Sequence, residues 1–237
     1  MRRSFKILLG VSLALVALAA VPAQRLYGEF QKAKSEDPTV WAEDIAALEA
    51  ATHGRTDAVV FIGSSSIRLW PELERDMAPL PVVQNGFGGA KLADIEHYAE
   101  RLVNAYRPRA VVVFAGSNDL QPGATKPASV LADTYLRFVA RVRADLPNVP
   151  IYFIGITPTP LRFEIWEEAQ ETNRRIRDES ETRAGLHYIE TGTTLLGPDG
   201  QPERANYRFD GLHLSERGYT IWTRIIRPRL LEDLGGD

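Results

Sequence analysis

Five times along this chain a short, mostly apolar run breaks off at a glycine or a polar cluster, and a helical pattern or a turn follows. The runs fall at residues 58–62, 80–84, 110–115, 151–156 and 186–189. Runs without polar alternation suit strands buried on both faces, as in a parallel sheet between two helical layers. The pattern therefore predicts an α/β chain folded as a three-layer α/β/α sandwich around a five-stranded parallel sheet. Asp37-Pro38 reads as an N-cap and first-turn proline for a helix over 39–51, which carries Trp41, Ile45 and Leu48 at helical spacing. Further helices are predicted at 92–102, 128–146 and 163–183, the last so charged that one face should be solvated. Ser215 can cap a final helix bearing Tyr219, Trp222, Ile226 and Leu230, which Pro228 should kink or shorten.

The two ends of the chain differ in character. Met1-Arg2-Arg3-Ser4-Phe5-Lys6 is basic, and residues 7–23 hold no charge. A basic start, an apolar stretch and small-residue sites at 17–19 or 21–23 make residues 1–23 an export signal or a retained N-terminal membrane anchor. The expected location is periplasmic or extracellular, either free after cleavage or membrane-anchored. The polar residues 24–36 read as a tether, and residues 37–237 as one domain. Loss of Arg2, Arg3 and Lys6 with the signal would take the formal charge from −3 to −6. An acidic domain without a basic block has no footprint for nucleic acid. The chain contains no cysteine, which removes disulfides, thiolate chemistry and cysteine-based zinc sites.

Three predicted strands end in small or polar clusters: Gly63-Ser64-Ser65, Gly86-Phe87-Gly88-Gly89 and Gly116-Ser117-Asn118-Asp119. In a parallel sheet these ends share one edge, which is where open α/β sheets bind ligands. A fourth cluster, Phe209-Asp210-Gly211-Leu212-His213, precedes the last helix. Its spacing lets the Asp210 carboxylate fold back to Nδ1 of His213 and leaves Nε2 outward as a base. The parts of a Ser–His–Asp triad are thus present, in the order Ser, Asp, His.

In these four blocks and their order, the chain resembles the SGNH or GDSL-type serine esterase/lipase superfamily. The resemblance runs from about residue 58 to residue 231. It implies a flavodoxin-like hydrolase fold, carboxylic ester hydrolysis through an acyl-enzyme, and no cofactor or metal. It also implies Ser65 as nucleophile, Asp210 and His213 as its partners, and an oxyanion hole from Ser65, Gly89 and Asn118. The substrate would be a small-molecule, polysaccharide or lipid ester, such as an acetylated carbohydrate or a lysophospholipid. The first block departs from the family's Gly-Asp-Ser, since Ser64 stands where the aspartate is expected. With three consecutive hydroxyls, the choice of Ser65 rests on alignment to that block.

Two rival readings use the same residues. A non-catalytic ligand- or carbohydrate-binding module on this scaffold would not need Ser65, Asn118 and His213 together. A dinucleotide-binding loop at Gly86–Gly89 would need a third glycine where Lys91 stands. Trp41, Trp70 and Trp222 read as core aromatics, and His53, His97 and His187 as structural or surface groups. Phe163 and Trp166, following the Thr157–Pro160 loop, are candidates for lining a substrate pocket.

Overall fold

The computed structural model of the chain describes residues 28–235. The expected export segment, residues 1–23, lies outside the described residues. In chain order the helices and strands are α1 (residues 28–34), α2 (Ala42–Thr52), β1 (Val59–Gly63), α3 (Ser65–Arg68), α4 (Leu73–Met77) and β2 (Val82–Gly86). Then come α5 (Leu92–His97), α6 (Ala99–Leu102), β3 (Ala110–Phe114), α7 (Ala128–Asp145), β4 (Ile151–Ile154), α8 (Trp166–Thr182), β5 (Leu186–Ile189) and α9 (Glu216–Leu234).

All five strands pair in parallel, in the order β2-β1-β3-β4-β5. The three-layer sandwich and parallel sheet expected from the sequence are present. The strand order reverses direction between β1 and β3, and in open α/β sheets the crevice at such a point is the natural ligand site. Strand residues alternate between two cores. Val60, Ile62, Val111, Val113 and Phe153 pack under α2 and α5 to α8. Val59, Phe61, Val112, Phe114 and Ile154 pack under α3, α4 and α9. Trp41 belongs to the first core, and Trp70 and Trp222 to the second, as expected.

Some elements depart from the sequence expectation. The pattern over 92–102 is two short helices, because the backbone leaves the helical path at Tyr98 (φ −97°, ψ 13°). Pro228 does not end α9, which continues to Leu234. Its ring lies on the exposed side, while Trp222, Ile226 and Leu230, each fully buried, hold the opposite stripe to the sheet. The segment read as a polar tether contains α1, which lies against the domain. Lys32 pairs with Asp44 at 2.6 Å, Glu29 with Arg68 at 2.7 Å, and Glu36 with both Lys91 and Lys126 at 2.5 and 2.7 Å. Three of the charges that make this segment look solvated, on Glu29, Lys32 and Glu36, have partners on the domain.

Candidate active site

The turn after β1 is set by close backbone approach. Gly63 has φ +154°, and a Cβ there would collide with the Phe114 carbonyl oxygen of the neighbouring strand. The next residue uses the same oxygen: the Ser64 N–H donates to it at 3.0 Å. The Ser64 carbonyl then accepts from the N–H groups of Ile67 and Arg68, which starts α3 at Ser65. Ser65 therefore sits at the carboxyl edge of the sheet, at the start of a helical turn whose leading N–H groups, those of Ser65 and Ser66, have no backbone acceptor among the described residues. From the opposite element, the Tyr219 hydroxyl of α9 donates to the Ser66 carbonyl at 2.9 Å.

The loop before α9 brings the base to this serine. An antiparallel bridge joins Tyr207 and Leu214, and the Arg208 N–H donates to the His213 carbonyl at 2.7 Å. Arg208 also ties the loop to the serine turn through Nη2 and the Leu69 carbonyl at 3.2 Å. Within the loop, Asp210 Oδ1 accepts from the N–H groups of Leu212 and His213 at 2.9 and 3.0 Å. Its Oδ2 lies 2.7 Å from His213 Nδ1, and His213 Nε2 lies 2.9 Å from Ser65 Oγ. A carboxylate at Nδ1 fixes the proton there and leaves Nε2 free to accept. Burial opposes ionisation of Asp210, but hydrogen bonds from the His213 ring and from the two backbone N–H groups hold its carboxyl below the usual carboxylate range.

Asn118 arrives from the far side of the same crevice, beyond the end of β3. Asp119 anchors this turn: its Oδ2 accepts the Leu92 N–H at 3.0 Å, and its Oδ1 lies 3.1 Å from Lys126 Nζ. The Asn118 Nδ2 donates to the Ala90 carbonyl at 3.0 Å, binding the loop after β3 to the glycine loop after β2. Its Oδ1 accepts from Arg162 Nη1 at 3.2 Å, and the same nitrogen donates to the Ser117 carbonyl at 2.6 Å. Sequence reasoning missed Arg162. It sits just before the charged helix α8, between Leu161 and Phe163, where a charged residue alternating with apolar ones reads as outward-facing.

Ser65, His213 and Asn118 together line a small cavity, with Phe114, Thr157, Thr159 and Leu212 among its other walls. The room for a water-sized centre is about 10 Å³, close to the minimum for a single water. The Thr159 hydroxyl is buried without a partner among the described residues. Larger grooves exist elsewhere, such as one of about 700 Å³ beside the acidic face of α8, but no serine or histidine lines it. Gly89 is not among the cavity walls. Its φ is +81°, and a Cβ there would come within 2.6 Å of Ala33 Cβ, so its glycine is accounted for by the turn and the close approach of α1. Phe163 and Trp166 do not line the cavity either. Trp166 is buried in the core on the α7–α8 side and Phe163 packs against it, so the pocket reading of both is corrected. Among the described residues no three His, Cys, Asp or Glu side chains cluster as metal ligands.

The profile of the GDSL-like lipase/acylhydrolase family matches residues 35–221. The chain is 29% identical over 191 residues to human (Homo sapiens) platelet-activating factor acetylhydrolase IB subunit alpha1, covering 76% of this chain and 78% of that protein. Among solved structures it is similar to a GDSL-like lipase from Bacteroides thetaiotaomicron, at a TM-score of 0.66 and 19% identity, covering 84% of this chain and 98% of the other. A carbohydrate esterase family 3 structure from Talaromyces cellulolyticus aligns at a TM-score of 0.62 and 18% identity, covering 76% and 99%. At these identities the structural likenesses speak for the fold.

Proposed function

Because the chain belongs to the GDSL-like lipase/acylhydrolase family and is an ester hydrolase, we propose that it works through an acyl-enzyme on Ser65, relayed by His213 and Asp210. The observation that carries this reading is the continuous contact from Ser65 Oγ to His213 Nε2 at 2.9 Å and from His213 Nδ1 to Asp210 Oδ2 at 2.7 Å.

His213 takes the Ser65 proton as Oγ attacks the ester carbonyl, and Asp210 stabilises the imidazolium that forms. The tetrahedral oxyanion faces the Ser65 N–H and the second N–H of Asn118 Nδ2, donors fixed before the charge develops. His213 then protonates the leaving alcohol. In the second half it deprotonates a water, which attacks the acyl carbonyl and releases Ser65. Each donor in such a site is worth about 10²–10³ in rate. The expected third donor, Gly89, has less support, since it is not a cavity wall.

The acyl side of the substrate is short. The cavity between Phe114, Thr157, Thr159 and Leu212 is only water-sized, which favours the smallest acyl group, acetyl, over longer chains. The names of the relatives, an acetylhydrolase and a carbohydrate esterase, support an acetyl ester of an alcohol or sugar. The basic start and charge-free stretch of residues 1–23 support action outside the cytoplasm, in the periplasm or beyond, either free or anchored by that segment. A non-catalytic binding module would leave the Ser65–His213 contact without a purpose.

The test is a chain-length series of aryl esters beside a panel of acetylated sugars. Hydrolysis should be fastest for acetyl, fall steeply by butanoyl to hexanoyl, and vanish in Ser65→Ala. A rate that rises with chain length would refute the short acyl pocket, and activity in Ser65→Ala would refute the nucleophile.

A further inference from the structure

We infer that Arg162 is a positioning residue that sets the orientation of the Asn118 amide and so determines which atom faces the oxyanion; the inference rests on the Ser65 mechanism above. The amide of asparagine has almost the same shape whichever way round it lies, so only its hydrogen-bond partners choose between Oδ1 and Nδ2. Here the partners leave one choice. Arg162 carries donors only, and its Nη1 lies 3.2 Å from the Asn118 oxygen. The Ala90 carbonyl accepts only, and it lies 3.0 Å from the Asn118 nitrogen. The two lock the amide from opposite ends, and Nδ2 keeps its second N–H for the cavity that Asn118 lines.

Arg162 is itself held. The same Nη1 donates to the Ser117 carbonyl at 2.6 Å, so one guanidinium nitrogen bridges two successive residues of the Asn118 turn. Its own segment is pinned to the base loop by the Leu161 N–H, which donates to the Gly211 carbonyl at 2.9 Å. Arg162 thereby links the loop carrying Asp210 and His213 to the turn carrying Asn118.

Its charge adds a second effect. Among the described residues no carboxylate pairs with Arg162, whereas Arg101, Arg137, Arg174 and Arg177 each have at least one. Hydrogen-bonded to Oδ1, this cation polarises the Asn118 amide, so its N–H is a stronger donor to the transition state, where negative charge appears, than to the neutral ester. Removing it should therefore lower kcat and leave KM nearly unchanged.

The experiment measures kcat and KM on an acetyl aryl ester for wild type, Arg162→Met, Arg162→Lys, Asn118→Ala and the double variant Arg162→Met/Asn118→Ala, with Ser65→Ala as control. Asn118→Ala should lose about 10²–10³ in kcat. Arg162→Met should lose about 10- to 100-fold, the scale of a misplaced catalytic group, with KM within about twofold. The double variant should be no slower than Asn118→Ala within about threefold, because both changes act on one amide. Arg162→Lys, which keeps a donor and the charge, should recover part of the loss. Full kcat in Arg162→Met, a loss confined to KM, or losses that multiply in the double variant would each overturn the role. If Arg162→Met does not fold, Arg162→Gln replaces it, and wild-type kcat there together with wild-type kcat in Arg162→Lys overturns the role equally. If Ser65→Ala stays active, the Ser65 mechanism falls. If Ser65→Ala is inactive while Arg162→Met is fully active, only the positioning role falls.

Discussion

Replacing Asp210 by Asn isolates what the carboxylate does for His213. In the wild type, Oδ1 accepts two backbone N–H groups at 2.9 and 3.0 Å, and Oδ2 lies 2.7 Å from Nδ1 of the histidine. The asparagine Oδ1 can keep both backbone bonds, so the loop before α9 should hold its shape. The asparagine Nδ2 then faces Nδ1, and a donor there requires Nδ1 to accept. The ring proton moves to Nε2, which lies 2.9 Å from Ser65 Oγ and can no longer take the serine proton. A correct geometry in the wrong tautomer loses about 10⁴ in kcat, which corresponds to roughly 5 kcal/mol of transition-state stabilisation. The assay is kcat/KM on an acetyl aryl ester, with the thermal midpoint recorded for the same samples. The expected result is a loss of at least about 10³ at an unchanged midpoint. Activity within tenfold of wild type would mean that Asp210 does not set the tautomer, and the relay would have to be abandoned.

Three other outcomes follow from the same structure. Burial pushes Asp94 up to about 6, so between about pH 4 and 6 the folded protein keeps a proton that the unfolded chain releases. Stability from this group therefore falls as pH rises through that window, by up to roughly 3 kcal/mol. Asp94→Asn should gain relative to wild type in urea midpoint between pH 4 and pH 7, and a constant difference would refute the raised value. Gly63→Ala should fail to fold or fall by more than about 3 kcal/mol, since its Cβ meets the Phe114 carbonyl of a central strand; a wild-type denaturation curve would contradict the close approach. Gly89→Ala should lower the thermal midpoint through its φ of +81° and the 2.6 Å approach to Ala33, with a smaller kcat loss than Asn118→Ala. An equal kcat loss at an unchanged midpoint would instead make Gly89 the third oxyanion donor.

The central strands were legible because they are buried on both faces. An uninterrupted apolar run such as 110–115 has few other ways to fold, and it appears as β3 in the centre of the sheet. The short-range chemistry was legible for a related reason. Asp210 and His213 are three residues apart, so their contact needs only a local turn. Ser65 and His213 are 148 apart, and nothing in the spacing joins them. Their meeting became an expectation only through the order of the blocks. Arg162 was illegible because its partner, Asn118, is 44 residues away and its neighbours look like the start of a solvated helix. The same blindness applied to residues 28–36. Charge alone suggested solvation, while Glu29, Lys32 and Glu36 each find an opposite charge on the domain. Pro228 misled in the other direction, since three buried anchors on α9 outweigh one missing backbone hydrogen bond.

The central claim is that Ser65 is a nucleophile activated by His213. The direct measurement is labelling with a fluorophosphonate, followed by intact mass and peptide mapping of the wild type and of Ser64→Ala, Ser65→Ala, Ser66→Ala and His213→Ala. One phosphonyl group should appear on the peptide carrying Ser65 in the wild type, with loss of activity in step with labelling. Labelling should persist in Ser64→Ala and Ser66→Ala and be absent in Ser65→Ala and His213→Ala. A label that survives Ser65→Ala, or that appears at wild-type rate in His213→Ala, would contradict the account.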